Sequence, residues 1–127
     1  MRDLQRENEL RKARKRANYF NHWAYSVIDT HIRRSMEVHL TRDWLEQKAR
    51  ETPCCELCGD ELRWEPCGQR GMFPNTPTLD RVSNERVLTK DNIMILCNSC
   101  NAGKGVQSLD EYVAKCKRIS ERFNGDD

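Results

Sequence analysis

The sequence predicts a small α+β protein whose loop-rich middle segment is held by a metal ion. Neither Gly nor Pro occurs before Pro53, whereas all four prolines and three of the six glycines fall between residues 53 and 77. Two short apolar runs follow, and two Cys-x-x-Cys pairs flank them. With 37% hydrophobic and 33% charged residues among 127, the core is small and needs such a staple.

Residues 1–51 are predicted to be helical because their apolar residues recur at spacings of three and four. This stripe consists of Phe20, Trp23, Ala24, Val27, Ile28, Ile32, Met36 and Leu40. Its aromatic members are expected in the core or at a helix-packing interface, in preference to stacking on nucleic-acid bases. Thr41 is a predicted N-cap for a short second helix through about Arg50 that turns Trp44, Leu45 and Ala49 inward. The residues ahead of the stripe form a solvated or frayed extension.

Charge and hydropathy indicate the compartment and one class of partner. The formal net charge is only +2, but the run RKARKR forms a local basic patch of Arg11, Lys12, Arg14, Lys15 and Arg16. Such a patch suits the phosphates of DNA, although a solvated helix face is the alternative. The sequence has no apolar run of the roughly 20 residues that a membrane span needs, and it does not begin with a secretory signal. We therefore expect a cytoplasmic protein with no membrane partner.

The paired cysteines predict a structural zinc site. Cys55 and Cys58 form one Cys-x-x-Cys, Cys97 and Cys100 form the other, and 38 residues separate Cys58 from Cys97. Two residues between ligands allow one tight turn to present both sulfurs, so two such turns complete a tetrahedral thiolate site. In an intracellular protein, cysteines in this pattern are metal ligands more often than disulfides. Cys54 could substitute as a ligand, but only Cys55 gives the two-residue gap.

The segment after residue 77 predicts two strands and a C-terminal helix. TLDRV and NIMIL are typical of short strands, and a polar loop joins them. Ser108 and Glu111 have the spacing of a capping box at the start of the last helix. The apolar stripe of this helix consists of Leu109, Tyr112, Val113, Cys116, Ile119 and Phe123. We expect this stripe to pack back on the strands, with Cys116 in the core.

Two oxygen-bearing side chains are expected to meet where the strands and the second cysteine pair come together. Asp80 lies near the end of the first strand, and Asn101 directly follows the second Cys-x-x-Cys pair, in the first turn of the helix expected there. A carboxylate and an amide oxygen are hard ligands suited to Mg²⁺ or Mn²⁺. The alternatives are local, because Asp80 could form a turn and Asn101 could cap a helix.

The order of CELC, LDRV, DNIMIL and CNSCNAGK resembles the HNH endonucleases, whose ββα-metal hairpin cuts DNA. The resemblance covers roughly residues 54 to 105. It implies that Asp80 and Asn101 hold the catalytic ion and that Asn92 shapes the loop between the strands. It also implies that Lys104 faces the phosphates of the DNA backbone.

The family's general-base histidine is replaced in this chain by Arg81. Arginine stays protonated near neutral pH, so it cannot accept a proton from water, but it can pair with the scissile phosphate. The Asp-Arg pair resembles phage-type members of the family, which implies a phage-encoded enzyme acting in the host cytoplasm. Of the three histidines, His39 has the best freedom to reach the hairpin, although a surface or capping role is preferred.

Residues 1–51 are thus interpreted as a helical extension and residues 52–127 as a zinc-knuckle nuclease domain. The resemblance implies a metal-dependent DNA endonuclease. One alternative is a non-catalytic zinc module that binds nucleic acid and has lost cutting with the histidine. Another is an interaction protein that docks through its N-terminal helix, whose stripe could seat a second copy of the chain or another protein.

Overall fold

The computed structural model describes residues 3–68 and 71–124, with the side chains of residues 12–17 outside this description. Within these residues the chain forms five helices and two small two-stranded sheets, so the predicted small α+β class is confirmed. The helices that the structure describes are all too short or too polar to cross a lipid bilayer.

The N-terminal zone is helical, but it is divided into three helices. Helix α1 spans Leu4–Ala17, α2 spans Tyr19–Arg33 and α3 spans Arg42–Arg50. The prediction that the apolar stripe continues in one helix to Leu40 is wrong, because Ser35 adopts a left-handed backbone with φ of 60°. Such a φ cannot continue a right-handed helix. Beyond this turn the short strand β1, Glu37–Val38, carries the chain toward α3.

The two helices α2 and α3 pack together and build the N-terminal part of the core. Their buried residues are Tyr19, Trp23, Ala24, Ile28, Leu45 and Ala49. The expected N-cap of α3 is confirmed, since the backbone N–H of Trp44 donates to Oγ1 of Thr41 at 3.1 Å. Capping of this kind contributes about 1 kcal/mol by satisfying an N–H that the helix leaves without a partner.

The two apolar runs form the antiparallel strands β2, Pro77–Arg81, and β4, Ile93–Cys97. Their register pairs Pro77 with Cys97 and Arg81 with Ile93. Helix α4, Asn98–Lys104, follows β4 without a loop, so the chain has the predicted order of strand, strand and helix. In the connecting loop, the short strand β3, Val87–Leu88, pairs in parallel with β1. The N-terminal helical zone is thereby attached to the loop of the hairpin.

An aromatic cluster joins the helices to the loop-rich segment. The ring of Trp64 lies 5.0 Å from the rings of Phe20 and Trp23, measured between centroids, and its Nε1 donates to the carbonyl of Thr52. Trp23 in turn donates from Nε1 to the carbonyl of Pro77, at the start of β2. Buried indole N–H groups of this kind need such partners. The expected core role of Trp23 is confirmed.

Helix α5 spans Leu109–Asn124 and is loosely packed. Its start is as predicted, since the backbone N–H of Glu111 donates to Oγ of Ser108 at 3.2 Å. None of its described residues is buried, so the expectation that its stripe packs back on the strands is wrong. Cys116 is exposed, which also corrects its expected place in the core. The helix forms because its local sequence favours it, while the body of the protein lies beside its first turn only.

Candidate functional site

The four predicted zinc ligands lie together at one point. The Sγ atoms of Cys55, Cys58, Cys97 and Cys100 all lie within 4.8 Å of one another, and those of Cys58 and Cys97 are 3.8 Å apart. A tetrahedron with Zn–S bonds of about 2.3 Å has sulfur–sulfur edges of about 3.8 Å. The donor set and the spacing therefore fit a structural metal ion, consistent with zinc.

Backbone N–H groups point at the sulfurs of Cys55 and Cys97, whereas burial and the neighbouring thiols of Cys58 and Cys97 raise the pKa of Cys100. Leu57 and Cys58 both donate to Sγ of Cys55 at 3.4 Å, and Cys100 donates to Sγ of Cys97 at the same distance. Burial acts to raise the pKa of Cys55, but the hydrogen bonds outweigh burial and lower this pKa to about 7. Gly59 closes the first turn with φ of 84°, a conformation that a side chain would strain. The two turns are thus shaped for a metal ion by their own backbone.

Glu56 attaches the first cysteine turn, Cys55 to Cys58, to strand β4. The backbone N–H of Glu56 donates to the carbonyl of Ile95 at 3.0 Å, and its Oε1 accepts from the N–H of Ile95 at 2.8 Å. A further ion pair joins Glu56 to Lys48 of α3 at 3.2 Å. These contacts hold the first Cys-x-x-Cys turn against β4, which aligns the two cysteine pairs. Sequence reasoning missed Glu56, because a lone glutamate inside a Cys-x-x-Cys has no pattern that indicates a partner.

The other cysteines stay outside the cluster. Cys54 is exposed and pairs with Glu61 in an isolated β-bridge, so Cys55 is the member of the cluster, as its spacing predicted. Cys67 lies 3.3 Å from Oγ1 of Thr76, measured from its Sγ. Cys54 and Cys67 therefore do not belong to the cluster of four sulfurs.

Asp80 lies in β2 with its carboxylate turned inward and 16% exposed. Its Oδ1 accepts from the backbone N–H of Arg81 at 2.8 Å. Its Oδ2 lies 3.0 Å from Nζ of Lys104, in an ion pair. Apart from this ion pair, the buried oxygen has no hydrogen-bond partner among the described residues. A buried carboxylate oxygen of this kind is a suitable ligand for a hard cation.

Asn101 lies on the same face of α4 as Lys104, one turn earlier. Residues three apart on a helix have Cβ atoms about 5–6 Å apart, and Lys104 already contacts Asp80. The predicted ligand pair of Asp80 and Asn101 is therefore carried by two adjacent elements that meet at this carboxylate. A catalytic ion at this place stays a prediction.

Asn92 ties together the loop that follows β2. Its Oδ1 accepts from the backbone N–H of Ser83 at 2.8 Å, and its Nδ2 donates to the carbonyl of Val87 at 3.0 Å. The side chain is 9% exposed and spans the loop from one end to the other. These bonds are those of a residue that holds the loop in shape, the part that the resemblance gave to Asn92.

Arg81 also contacts this loop in the described structure. Its Nη1 donates to the carbonyls of Asn84 and Glu85, at 3.3 Å and 2.8 Å. Arginine carries five N–H donors, so those on Nε and Nη2 are left for a phosphate. The predicted phosphate contact of Arg81 stays a prediction, as does that of Lys104, which is 2% exposed and faces Asp80.

The remaining predicted site residues are less informative. His39 is 57% exposed beside Glu37, and its backbone N–H donates to the carbonyl of Leu88 in the hairpin loop. This is the surface position that was expected. In the basic run, Arg11 is exposed, while the side chains of Lys12, Arg14, Lys15 and Arg16 lie outside the described residues.

Comparison of this chain with family models, with curated proteins and with solved structures gave no match. The assignment of a function therefore depends on the residues and contacts of this chain.

Proposed function

We propose that this protein is a metal-dependent endonuclease that hydrolyses DNA phosphodiester bonds, with a structural zinc ion and a catalytic Mg²⁺ or Mn²⁺ ion. The observation that carries the proposal is the buried Oδ2 of Asp80, whose one partner among the described residues is the ammonium of Lys104. The helix that contacts it also carries Asn101 and begins directly after Cys97 of the cysteine cluster. A zinc ion held by the four cysteines would fix this geometry, because it would join the turn of Cys55 and Cys58 to the junction of β4 and α4.

The residues of the hairpin divide the work of the proposed reaction. Asp80 and Asn101 would hold the catalytic ion, which when bound supplies charge and lowers the pKa of a water ligand. Arg81 would place free N–H donors on the scissile phosphate and offset its developing negative charge. Asn92 keeps the loop that carries Arg81 in position through its bonds to Ser83 and Val87.

The absence of a histidine at position 81 predicts a slow enzyme. A general base contributes about 10²- to 10⁴-fold to the rate, and a permanently charged arginine does not supply this factor. On this proposal Arg81→His increases the rate of cleavage by a factor in that range. It does so only if the new imidazole keeps its place beside the phosphate after losing the bonds to Asn84 and Glu85.

Nicking of supercoiled plasmid tests the proposal. We expect wild-type protein to nick with Mg²⁺ or Mn²⁺ and to stop with EDTA, while Asp80→Ala and Asn101→Ala lose nicking. Asp110→Ala is the matched control, because this exposed carboxylate of α5 lies outside the site. Zinc content and circular dichroism exclude misfolding. Absence of metal-dependent nicking by folded, zinc-loaded wild type contradicts the proposal.

One observation favours a second candidate, a zinc module that binds nucleic acid without cutting it. The ammonium of Lys104 already neutralises Asp80, as would be expected of a hairpin that no longer uses a catalytic ion. Such a module binds DNA with an affinity that falls steeply with salt, that Mg²⁺ does not increase and that Asp80→Ala does not abolish. Filter binding of a short duplex over a salt series, beside the nicking assay, distinguishes the two.

A further inference from the structure

The ion pair of Lys104 and Asp80 unites two groups that the proposed reaction uses separately. Lysine is among the side chains least often buried in proteins, yet Lys104 is 2% exposed at the end of α4. The carboxylate of Asp80, at 3.0 Å, is the one ion partner that the described residues offer to its ammonium. A buried ammonium is stabilised only where such a partner offsets its desolvation. Lys104 is therefore held in place by the proposed metal ligand.

The nearest arginine is not a substitute for Lys104. Arg81 donates from Nη1 to the carbonyls of Asn84 and Glu85, and only its backbone N–H contacts the carboxylate of Asp80. The charge of Asp80 is thus balanced by Lys104. If Lys104 moved away without a replacement, a carboxylate that is 84% buried would have no cation beside it.

We propose that Lys104 is a resident cation that occupies the metal position of Asp80 until nucleic acid draws it away. An ammonium 3.0 Å from Oδ2 and a divalent ion bound to the same oxygen repel each other strongly in a site with little water. A DNA phosphate can accept the displaced ammonium, since it offers Lys104 an anionic partner in place of Asp80. Metal and DNA then bind cooperatively, and each increases the affinity for the other by the same factor.

This inference rests on the proposed function and gives it an order of events. Without DNA, the ammonium keeps the ion out and the site is idle. With DNA, the lysine lies on the phosphate and the carboxylate is free. Lys104 is in this account a positioning residue that couples metal binding to substrate binding.

Binding of Mn²⁺ to zinc-loaded full-length protein tests this coupling. Free Mn²⁺ is measured by electron paramagnetic resonance, with and without a short DNA duplex, and Asp80→Asn defines the background. We expect Lys104→Met to bind Mn²⁺ about tenfold more tightly than wild type without DNA, because the competing charge is gone. DNA should increase the Mn²⁺ affinity of wild type by about fivefold or more and should leave that of Lys104→Met unchanged.

Two further variants guard against a trivial result. Lys104→Arg keeps the charge and should bind Mn²⁺ as weakly as wild type, while Lys104→Gln replaces Lys104→Met if the latter loses zinc. The inference is overturned if the neutral variants bind Mn²⁺ no more tightly than wild type, or if DNA increases the affinity of all variants equally. If either result is obtained while nicking still depends on the metal and on Asp80, the proposed nuclease function is retained and only the proposed role of Lys104 is rejected. If Asp80→Asn binds Mn²⁺ like wild type and no protein nicks plasmid, both proposals fail.

Discussion

Helices α2 and α5 have similar lengths and similar apolar spacing, and they differ in what lies beside them. In α2, Trp23, Ala24 and Ile28 are buried, and the exposed fraction of Trp23 is 6%. In α5 none of the described residues is buried, and Phe123 is 79% exposed. The same periodicity therefore predicted a helix at both places, extended the first one too far toward Leu40, and predicted the packing of only one.

The difference lies in the number of neighbours that fix each helix. Helix α2 is enclosed by α3, by the ring of Trp64 and by strand β2, to which Trp23 is hydrogen-bonded. Helix α5 is attached at its start, where the N–H of Leu109 donates to the carbonyl of Val82 and the Tyr112 hydroxyl lies against Gly103. A stripe of apolar residues thus encodes a helix and one face, while the chain around it decides whether that face is covered.

The largest expected effect comes from breaking the cysteine cluster, which fits a structural zinc ion. Cys97 is a buried core residue as well as a member of this cluster, so Cys97→Ser should release the proposed zinc and unfold the region that contains β2, β4 and α2. Zinc contributes about 10–16 kcal/mol to the folding of small zinc-finger peptides, more than most small domains have in reserve. Chelation of wild type should give the same loss of circular dichroism.

Cys116→Ser is the matched control, because it makes the same substitution on the exposed helix α5. We expect it to keep full zinc content and the wild-type spectrum. Wild-type folding in Cys97→Ser, or zinc loss in Cys116→Ser, would contradict the division of the molecule into a stapled body and a peripheral helix.

The second expected effect comes from the enclosed face of α2. Trp23→Ala should lower the free energy of unfolding by about 3–5 kcal/mol, because it leaves a cavity next to Trp64 and removes the hydrogen bond to the Pro77 carbonyl. Urea unfolding of zinc-loaded protein measures this loss. A change under about 1 kcal/mol would show that α2 is no better packed than α5.

Much of this architecture could be predicted from sequence because it is encoded locally. The Cys-x-x-Cys pairs, the capping residues Thr41 and Ser108, and the two short apolar runs that form strands are each encoded within a few residues. Their outcomes were accordingly confirmed. The loop contacts of Asn92 agree with the place that the resemblance gave it, which no local pattern indicates.

The features that could not be predicted depend on residues far apart in the chain. The stripe of α2 extends past Arg33 in sequence, but Ser35 ends the helix and β1 pairs instead with β3, about fifty residues later. Lys104 was expected to face the phosphates of DNA. In the folded chain its ammonium contacts Asp80, and this contact depends on how deeply the Asp80 carboxylate is buried in the hairpin. A periodic sequence pattern indicates neither the residue at which a helix ends nor how deeply a carboxylate is buried.

The smallest expected effect comes from α5 and completes the comparison. Phe123→Ala should change the free energy of unfolding by less than about 0.5 kcal/mol, since a side chain that is 79% exposed leaves no cavity. Amide hydrogen exchange gives an independent measurement, because an isolated helix of this length is marginally stable in water. We expect the amides after Tyr112 to exchange much faster than those of α2. Strong protection there, or a loss near that of Trp23→Ala, would mean that α5 is covered in solution by a surface that a single chain does not provide.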